Sequence, residues 1–90
     1  MAVRFSLGQM VATPGALEVL GATGASPLML LARHQSGDWG NVPPEDAREN
    51  ERSVMQGDRI LSSYSVGGER LWIITEADRS VTTILKPDEY

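Results

Sequence analysis

The stretch Arg59-Ile-Leu-Ser-Ser-Tyr-Ser-Val-Gly-Gly-Glu-Arg-Leu-Trp-Ile-Ile-Thr-Glu-Ala-Asp-Arg-Ser-Val-Thr-Thr-Ile-Leu-Lys-Pro87 decides the fold of this chain. Two runs rich in β-branched and aromatic residues meet at Gly67-Gly68, and a third follows the polar step Asp78-Arg79-Ser80. That pattern spells a three-stranded antiparallel meander. A two-residue turn at the glycine pair sets Val66 opposite Glu69, Tyr64 opposite Leu71, Ser62 opposite Ile73, Ser63 opposite Trp72 and Leu61 opposite Ile74. One face then carries Ile60, Ser62, Tyr64, Leu71, Ile73 and Thr75, and the other Leu61, Ser63, Trp72 and Ile74. Both are partly apolar, so both call for cover. The third strand runs from about Val81 to Lys86 and stops at Pro87. Its register stays open, because three-residue and four-residue readings of the Asp78 turn place opposite sides inward.

Three strands with an apolar face need a layer to pack on, and the residues upstream must supply it. Val3, Phe5 and Leu7 alternate with Arg4 and Ser6 up to Gly8, which reads as an N-terminal edge strand or an extended arm. Thr13-Pro14 and Ser26-Pro27 each combine a capping hydroxyl with a proline where no amide hydrogen is needed, so each starts a short helix. The first has Ala16, Leu17, Val19 and Leu20 on its apolar side and stops at Gly21 and Gly24. The second places Leu28, Leu31 and Ala32 on one face, widened by Met29 and Leu30, and is the best cover for the sheet. Gln35 to Pro44 is a loop dense in turn formers with Trp39 at its centre. A third, surface helix starts at Pro43-Pro44, with Glu45 and Asp46 in its first turn and Gly57 as its stop. Ala47, Val54 and Met55 are its expected buried side, while Glu45 with Arg48, and Glu49 with Arg52, pair on the outside. The expectation is a single α+β domain over residues 1–90, two short N-terminal helices and a third surface helix on a C-terminal meander.

Composition narrows the functional classes. The net charge of −4 gives no whole-chain attraction to a phosphate backbone, so nucleic acid is not a favoured partner. With no cysteine there is neither a disulfide framework nor a thiolate metal site, which fits a reducing cytoplasm. The start Met-Ala-Val-Arg-Phe-Ser lacks the plan of a signal peptide, and no apolar run approaches the roughly 20 residues of a membrane span. A cytoplasmic protein without a membrane partner is expected.

The chain carries no P-loop, no His-Glu-x-x-His, no Gly-x-Ser-x-Gly and no thiol nucleophile, so neither cofactor nor metal is expected. Its single histidine, His34, ends the second helix and runs into Gln35-Ser36-Gly37-Asp38-Trp39-Gly40. As chemistry, His34 is a general acid or base oriented by Asp38, with an anion site if Arg59, Arg70 or Arg79 converges on the loop. As structure, histidine suits a helix C-terminus, Asp38 makes a turn bond, and Trp39 is an apolar plug. The polar segment Thr75 to Thr83 offers Arg79 and several hydroxyls for a phosphate or a polar peptide, or simply an ordinary turn between threonine-rich strands. Tyr64 and Trp72 fall on opposite faces and do not form one stacking platform. The candidate catalytic residues are therefore His34, Asp38 and Arg79, and the candidate binding residues Trp39, Asp38 and Arg79.

The combination of His34-Gln-Ser-Gly-Asp-Trp-Gly40, Gly57-Asp-Arg-Ile-Leu-Ser62 and Trp72-Ile-Ile-Thr-Glu-Ala-Asp-Arg-Ser80, with Thr82-Thr83 and Glu89-Tyr90, resembles a family of small uncharacterised bacterial proteins carried on plasmids and integrated mobile elements. The resemblance implies a role in maintenance or defence of such elements and transfers no catalytic residue. Together these readings point to a small accessory protein that binds another protein, or a second copy of itself, through the Trp39 loop or one sheet face. The alternatives are a metal-independent, toxin-like ribonuclease using His34, assisted by Arg79 with Tyr64 or Thr83, and an acidic anti-restriction DNA mimic.

Overall fold

The structure is a computed structural model that describes residues 3–90; the first two residues of the expected 1–90 domain lie outside that range. The chain forms β1 (Gln9–Ala12), α1 (Pro14–Thr23), α2 (Pro27–Gln35), α3 (Pro44–Gln56), β2 (Ile60–Val66), β3 (Glu69–Thr75), β4 (Val81–Leu85) and a 3₁₀ turn (Pro87–Glu89). The fold is α+β, three helices packed against a mixed four-stranded sheet of order β1-β4-β3-β2.

The hairpin register follows the glycine turn as expected, from Val66 opposite Glu69 to Ile60 opposite Thr75. Gly67 and Gly68 both have positive φ, 56° and 80°, the conformation that joins twisted strands without splaying them. The Asp78 turn is settled by its own side chain: Asp78 Oδ1 accepts from the backbone N and the hydroxyl of Ser80. Ile84 then sits opposite Ile73 and Thr82 opposite Thr75, so Thr82 and Ile84 join the inner face. On that face Tyr64, Val66, Leu71, Ile73 and Ile84 pack against Ala16, Val19 and Leu20 of α1 and Leu30 and Leu31 of α2. A fully buried Leu or Ile side chain contributes about 1.5–3 kcal/mol, so this layer holds the domain together.

The sheet gains its fourth strand later in the chain than expected. Val3-Phe5-Leu7 is not a strand: Arg4 N donates to Gln35 O, and Phe5 turns into a second core cluster with Trp39 and Ile60. Pairing starts only after Gly8, where φ is 64° and a Cβ would lie 2.3 Å from Arg79 O. Gln9–Ala12 then pairs with β4 in parallel, Gln9 opposite Val81 and Ala12 opposite Ile84.

The helices start where the hydroxyl-proline pairs place them. Thr13 Oγ1 accepts from Ala16 N and Ser26 Oγ from Met29 N. Helix α1 runs through Gly21 and ends at Gly24, whose φ of 71° lets its N–H reach Leu20 O. In α2 the buried stripe is Leu30, Leu31 and His34, leaving Leu28 and Met29 exposed, because the imidazole finds hydroxyl partners on the sheet. In α3 the expected Glu49–Arg52 pair forms at 2.7 Å. Met55 is 86 % exposed, and Asn50 and Ser53 face inward instead. Ala47 and Val54 pack against the Phe5, Trp39 and Ile60 cluster as expected.

Asn50 points inward because it closes a strand edge. Its Oδ1 accepts from Leu61 N at 3.2 Å and its Nδ2 donates to Leu61 O at 2.7 Å. One step along β2, Ser63 N donates to Trp39 O and Ser63 O accepts from Asn41 N. Main-chain groups that would recruit another strand are thereby occupied.

Candidate functional site

The structure places the expected site residues in three separate roles. His34 is fully enclosed, at 0 % exposure, edge-on to Phe5 at 5.2 Å between ring centroids and to Trp39 at 6.0 Å. Its Nδ1 lies 2.5 Å from Ser62 Oγ and its Nε2 2.9 Å from Thr75 Oγ1. Thr75 Oγ1 is 2.7 Å from Thr82 Oγ1, which donates to Leu7 O at 2.7 Å. A carbonyl only accepts, so the direction of the chain is fixed from that end. Thr82 gives its proton to Leu7 O and accepts from Thr75, and Thr75 accepts from His34 Nε2–H. Nδ1 is then the acceptor for the Ser62 hydroxyl. Every member is satisfied with the imidazole neutral, and burial, with the charge of Arg79 second, pushes the His34 pKa down to about 3.

Asp38 does not orient His34. Its Oδ2 takes the Nε–H of Arg33 at 2.7 Å and its Oδ1 the backbone N of Gly40, and these bonds hold the carboxylate below its usual range. The Arg33 guanidinium lies over the Tyr64 ring, 4.5 Å from the centroid, and the Tyr64 hydroxyl donates to Asp38 O at 2.6 Å. Burial pushes the Tyr64 phenol up to about 12, so it stays protonated at neutral pH. The His34–Asp38 dyad of the chemical reading is thus two independent devices, an internal polar chain and a loop clasp in which Asp38 makes the turn bond of the structural reading.

Trp39 is a plug rather than an exposed contact. It is only 6 % exposed, stacks on Phe5 at 6.2 Å and donates Nε1–H to Glu51, which also holds Arg4 by two bonds of 2.7 and 2.9 Å. Gly40 beside it has φ 75° and lies so close to β2 that a Cβ would meet Ser63 O at 2.0 Å. Arg79 acts inside the fold as well. Its Nη1 donates to Asp58 O at 2.7 Å and to the carbonyls of Glu76 and Ala77, and its Nη2 to Ser53 O at 2.9 Å. Ser53 O sits in the last turn of α3, where it also accepts from Gly57 N and Asp58 N and where the helix dipole favours a cation. Arg79 adopts φ 61°, the one non-glycine residue with positive φ among the described residues. Glycine would be the usual occupant of that conformation, and the guanidinium bonds offset the strain.

The arginines do not converge. Arg59 meets Glu76 at 3.4 Å and the Tyr90 hydroxyl, while Arg70 Nη1 reaches Ser63 Oγ at 3.3 Å. Both instead flank the outer sheet face, the surface that remains open. There Leu61, Ser63 and Trp72 floor a groove walled by Asn41, Val42, Pro43 and Asp46 on one side and by Arg70 and Pro87 on the other, about 250 Å³ in volume. A second depression of about 240 Å³, lined by Asp46, Glu49, Asn50, Arg59 and Leu61, continues it along α3. Tyr90, 70 % exposed, meets Trp72 edge-on at 5.9 Å. Acids line the helical wall and arginines the sheet, and Arg70 has no carboxylate within 4.0 Å among the described residues.

The strand alternation already put Leu61, Ser63 and Trp72 on one face, but the walls of this groove come from segments far away in sequence. The signal that reveals the His34 chain is the pair Ser62 and Thr75 on an otherwise apolar face: buried hydroxyls require partners, and α2 has to bring one. Among the described residues no group of three or more His, Cys, Asp or Glu side chains is placed to hold a metal ion, and no single helix is long and apolar enough to cross a membrane. Comparison with protein-family models, with curated proteins and with solved structures returned no match.

Proposed function

We propose that this chain is a small accessory protein that works by binding another protein, with an extended apolar segment of the partner seated over Leu61 and Trp72. One observation carries the reading: the outer face of the sheet keeps two large half-buried apolar side chains in an open groove, while His34, Trp39 and Arg79 are consumed by the fold. An aromatic anchor inside a polar rim is the usual make-up of a protein-binding patch. Arg70, without an acidic partner, favours a carboxylate next to the apolar segment of the ligand. The resemblance to proteins of mobile elements supports a setting in element maintenance or defence, and the absence of cysteine supports the cytoplasm as the compartment. A nucleolytic role for His34 requires the imidazole to touch substrate, and its enclosure supports a structural role instead.

The test is co-purification of the tagged chain from its native host, with partners identified by mass spectrometry, beside Leu61→Lys and Trp72→Ala. Leu61 is half-buried at the groove floor, so a lysine stem can follow the surface and place its ammonium where the apolar segment would lie. The expected result is a partner retained by the parent chain and lost, by tenfold or more in affinity, with either variant of unchanged circular dichroism. A partner held equally by both variants, or none enriched over an untagged control, refutes the reading.

A further inference from the structure

We propose that β1 is the subunit interface of a two-fold symmetric dimer, in which Gln9–Ala12 pairs antiparallel with Gln9–Ala12 of a second copy and Val11 faces Val11 at the dyad. This surface is distinct from the Leu61–Trp72 groove, and the inference is independent of the reading above.

The two edges of the sheet differ. The free side of β2 is occupied by Asn50 and the backbone of Trp39 and Asn41. Among the described residues the free side of β1 has no such cover. Gln9 N donates to Ser80 O and Thr13 N donates to Ile84 O, so the odd-numbered residues turn their main-chain groups toward β4. Because these groups alternate along a strand, Met10 and Ala12 turn theirs to the open side. No described residue bonds them there. Nor is the edge blunted in the usual ways: Gln9-Met10-Val11-Ala12 contains no charge and no proline, and its four register pairs run without a bulge.

Beside the edge lies an apolar shelf. On the helical side Met10, Leu17 and Leu28 are 53, 59 and 69 % exposed, and on the other face of the strand Val11 is 39 % exposed. Met10, Leu17, Pro27 and Leu31 line a groove of about 300 Å³ that contains no charged residue. Leu28 borders it one turn from Leu31 on α2. An uncharged edge above an uncharged shelf fits a partner of the same kind, and this chain supplies one. The free donors and acceptors at positions 10 and 12 are symmetric about Val11, so antiparallel self-pairing sets each Met10 opposite an Ala12 as a hydrogen-bonded pair, large side chain against small. A dyad through Val11 perpendicular to the sheet keeps both helical layers on one side, which brings the two shelves together and makes an eight-stranded sheet. The exposed parts of those four side chains and the strand backbones, counted in both copies, are on the order of 1,000 Å², the lower bound for a specific interface.

The absence of cysteine gives a direct experiment on the full chain. In a non-hydrogen-bonded antiparallel pair the facing Cα atoms are about 4.5 Å apart, within the range a disulfide spans. Val11→Cys is expected to form a covalent dimer under mild oxidation at least tenfold faster than Met55→Cys, an exposed control on α3. Sedimentation of the parent chain is expected to show twice the 9.8 kDa mass as concentration rises into the micromolar range and above. Val11→Lys is expected to weaken the dimer by at least tenfold with unchanged circular dichroism. Met10→Pro, which removes an outward N–H and no bond to β4, is expected to do the same. A parent chain that stays monomeric up to several hundred micromolar, or Val11→Cys crosslinking no faster than Met55→Cys, overturns the proposal. So does a monomer whose β1 edge is captured by a different protein, with capture lost in Val11→Lys.

Discussion

The buried His34 gives this protein an acid sensitivity that can be read in advance. Its pKa lies near 3 in the folded chain, lowered by burial and then by Arg79, against about 6.5 when unfolded. The unfolded state therefore binds a proton that the folded state refuses across that interval. Stability from the neutral imidazole is present above pH 6.5 and is lost as pH falls toward 3, by at most about 1.4 kcal/mol per pH unit. Between pH 7.5 and 4.5 the loss amounts to about 3 kcal/mol, a large part of the roughly 5–15 kcal/mol that holds a small domain. The assay is urea unfolding followed by circular dichroism at fixed protein concentration. With a slope of about 1–2 kcal/mol per molar urea, the midpoint is expected to drop by about 2 M between those pH values. This is the only histidine in the chain, and hydrogen bonds to Arg33 and Arg4 hold the Asp38 and Glu51 carboxylates below their usual range, so the slope is assigned to His34. His34→Gln provides the control. It is expected to cost about 2–4 kcal/mol at pH 7.5, from lost packing and unpaired Ser62 and Thr75 hydroxyls, and to flatten the dependence between pH 6.5 and 4.5. A parent chain of constant stability over that window, or a glutamine variant that keeps the slope, refutes the neutral, enclosed imidazole.

Two further substitutions probe the same architecture. Arg79→Ala removes a guanidinium that bridges the end of α3 to the Asp58 and Glu76 carbonyls, and is expected to cost about 2–3 kcal/mol in urea unfolding, with Arg79→Lys recovering less than half. Asn50→Ala strips both bonds from Leu61 and opens that edge of β2; the expected result is a loss of about 2 kcal/mol together with faster aggregation by light scattering.

The hairpin and the helix starts were legible because their causes are local. Gly67-Gly68 supplies the positive φ values that a two-residue turn requires, and that turn alone sets the register from Val66 to Ile60. Thr13-Pro14 and Ser26-Pro27 start helices through bonds that span three residues. The N-terminal strand was misplaced because Val3-Phe5-Leu7 has the better alternation, yet Phe5 has a stronger claim on the cluster with Trp39 and Ile60. Gln9–Ala12 becomes a strand through pairing with residues some seventy positions away. Met55 is expected to be buried on hydrophobicity, yet Asn50 takes the inward side because the open β2 edge offers its amide two bonds, and the small Ser53 is buried beside it.

The site divides along the same line. That Leu61, Ser63 and Trp72 share one face, and Ser62, Tyr64 and Thr75 the other, is fixed by the two-residue period of a strand and needs no tertiary information. What the fold alone decided is which groups remain available. His34 meets Ser62 and Thr75 across separations of 28 and 41 residues, and Arg79 reaches Ser53 across 26. Those contacts turn the candidate acid–base and anion-binding residues into internal supports. By the same packing, the outer groove and the edge of β1 stay uncovered. Local sequence sets backbone conformation and side-chain alternation through short-range sterics, whereas burial and polar satisfaction depend on segments that only the folded chain brings together.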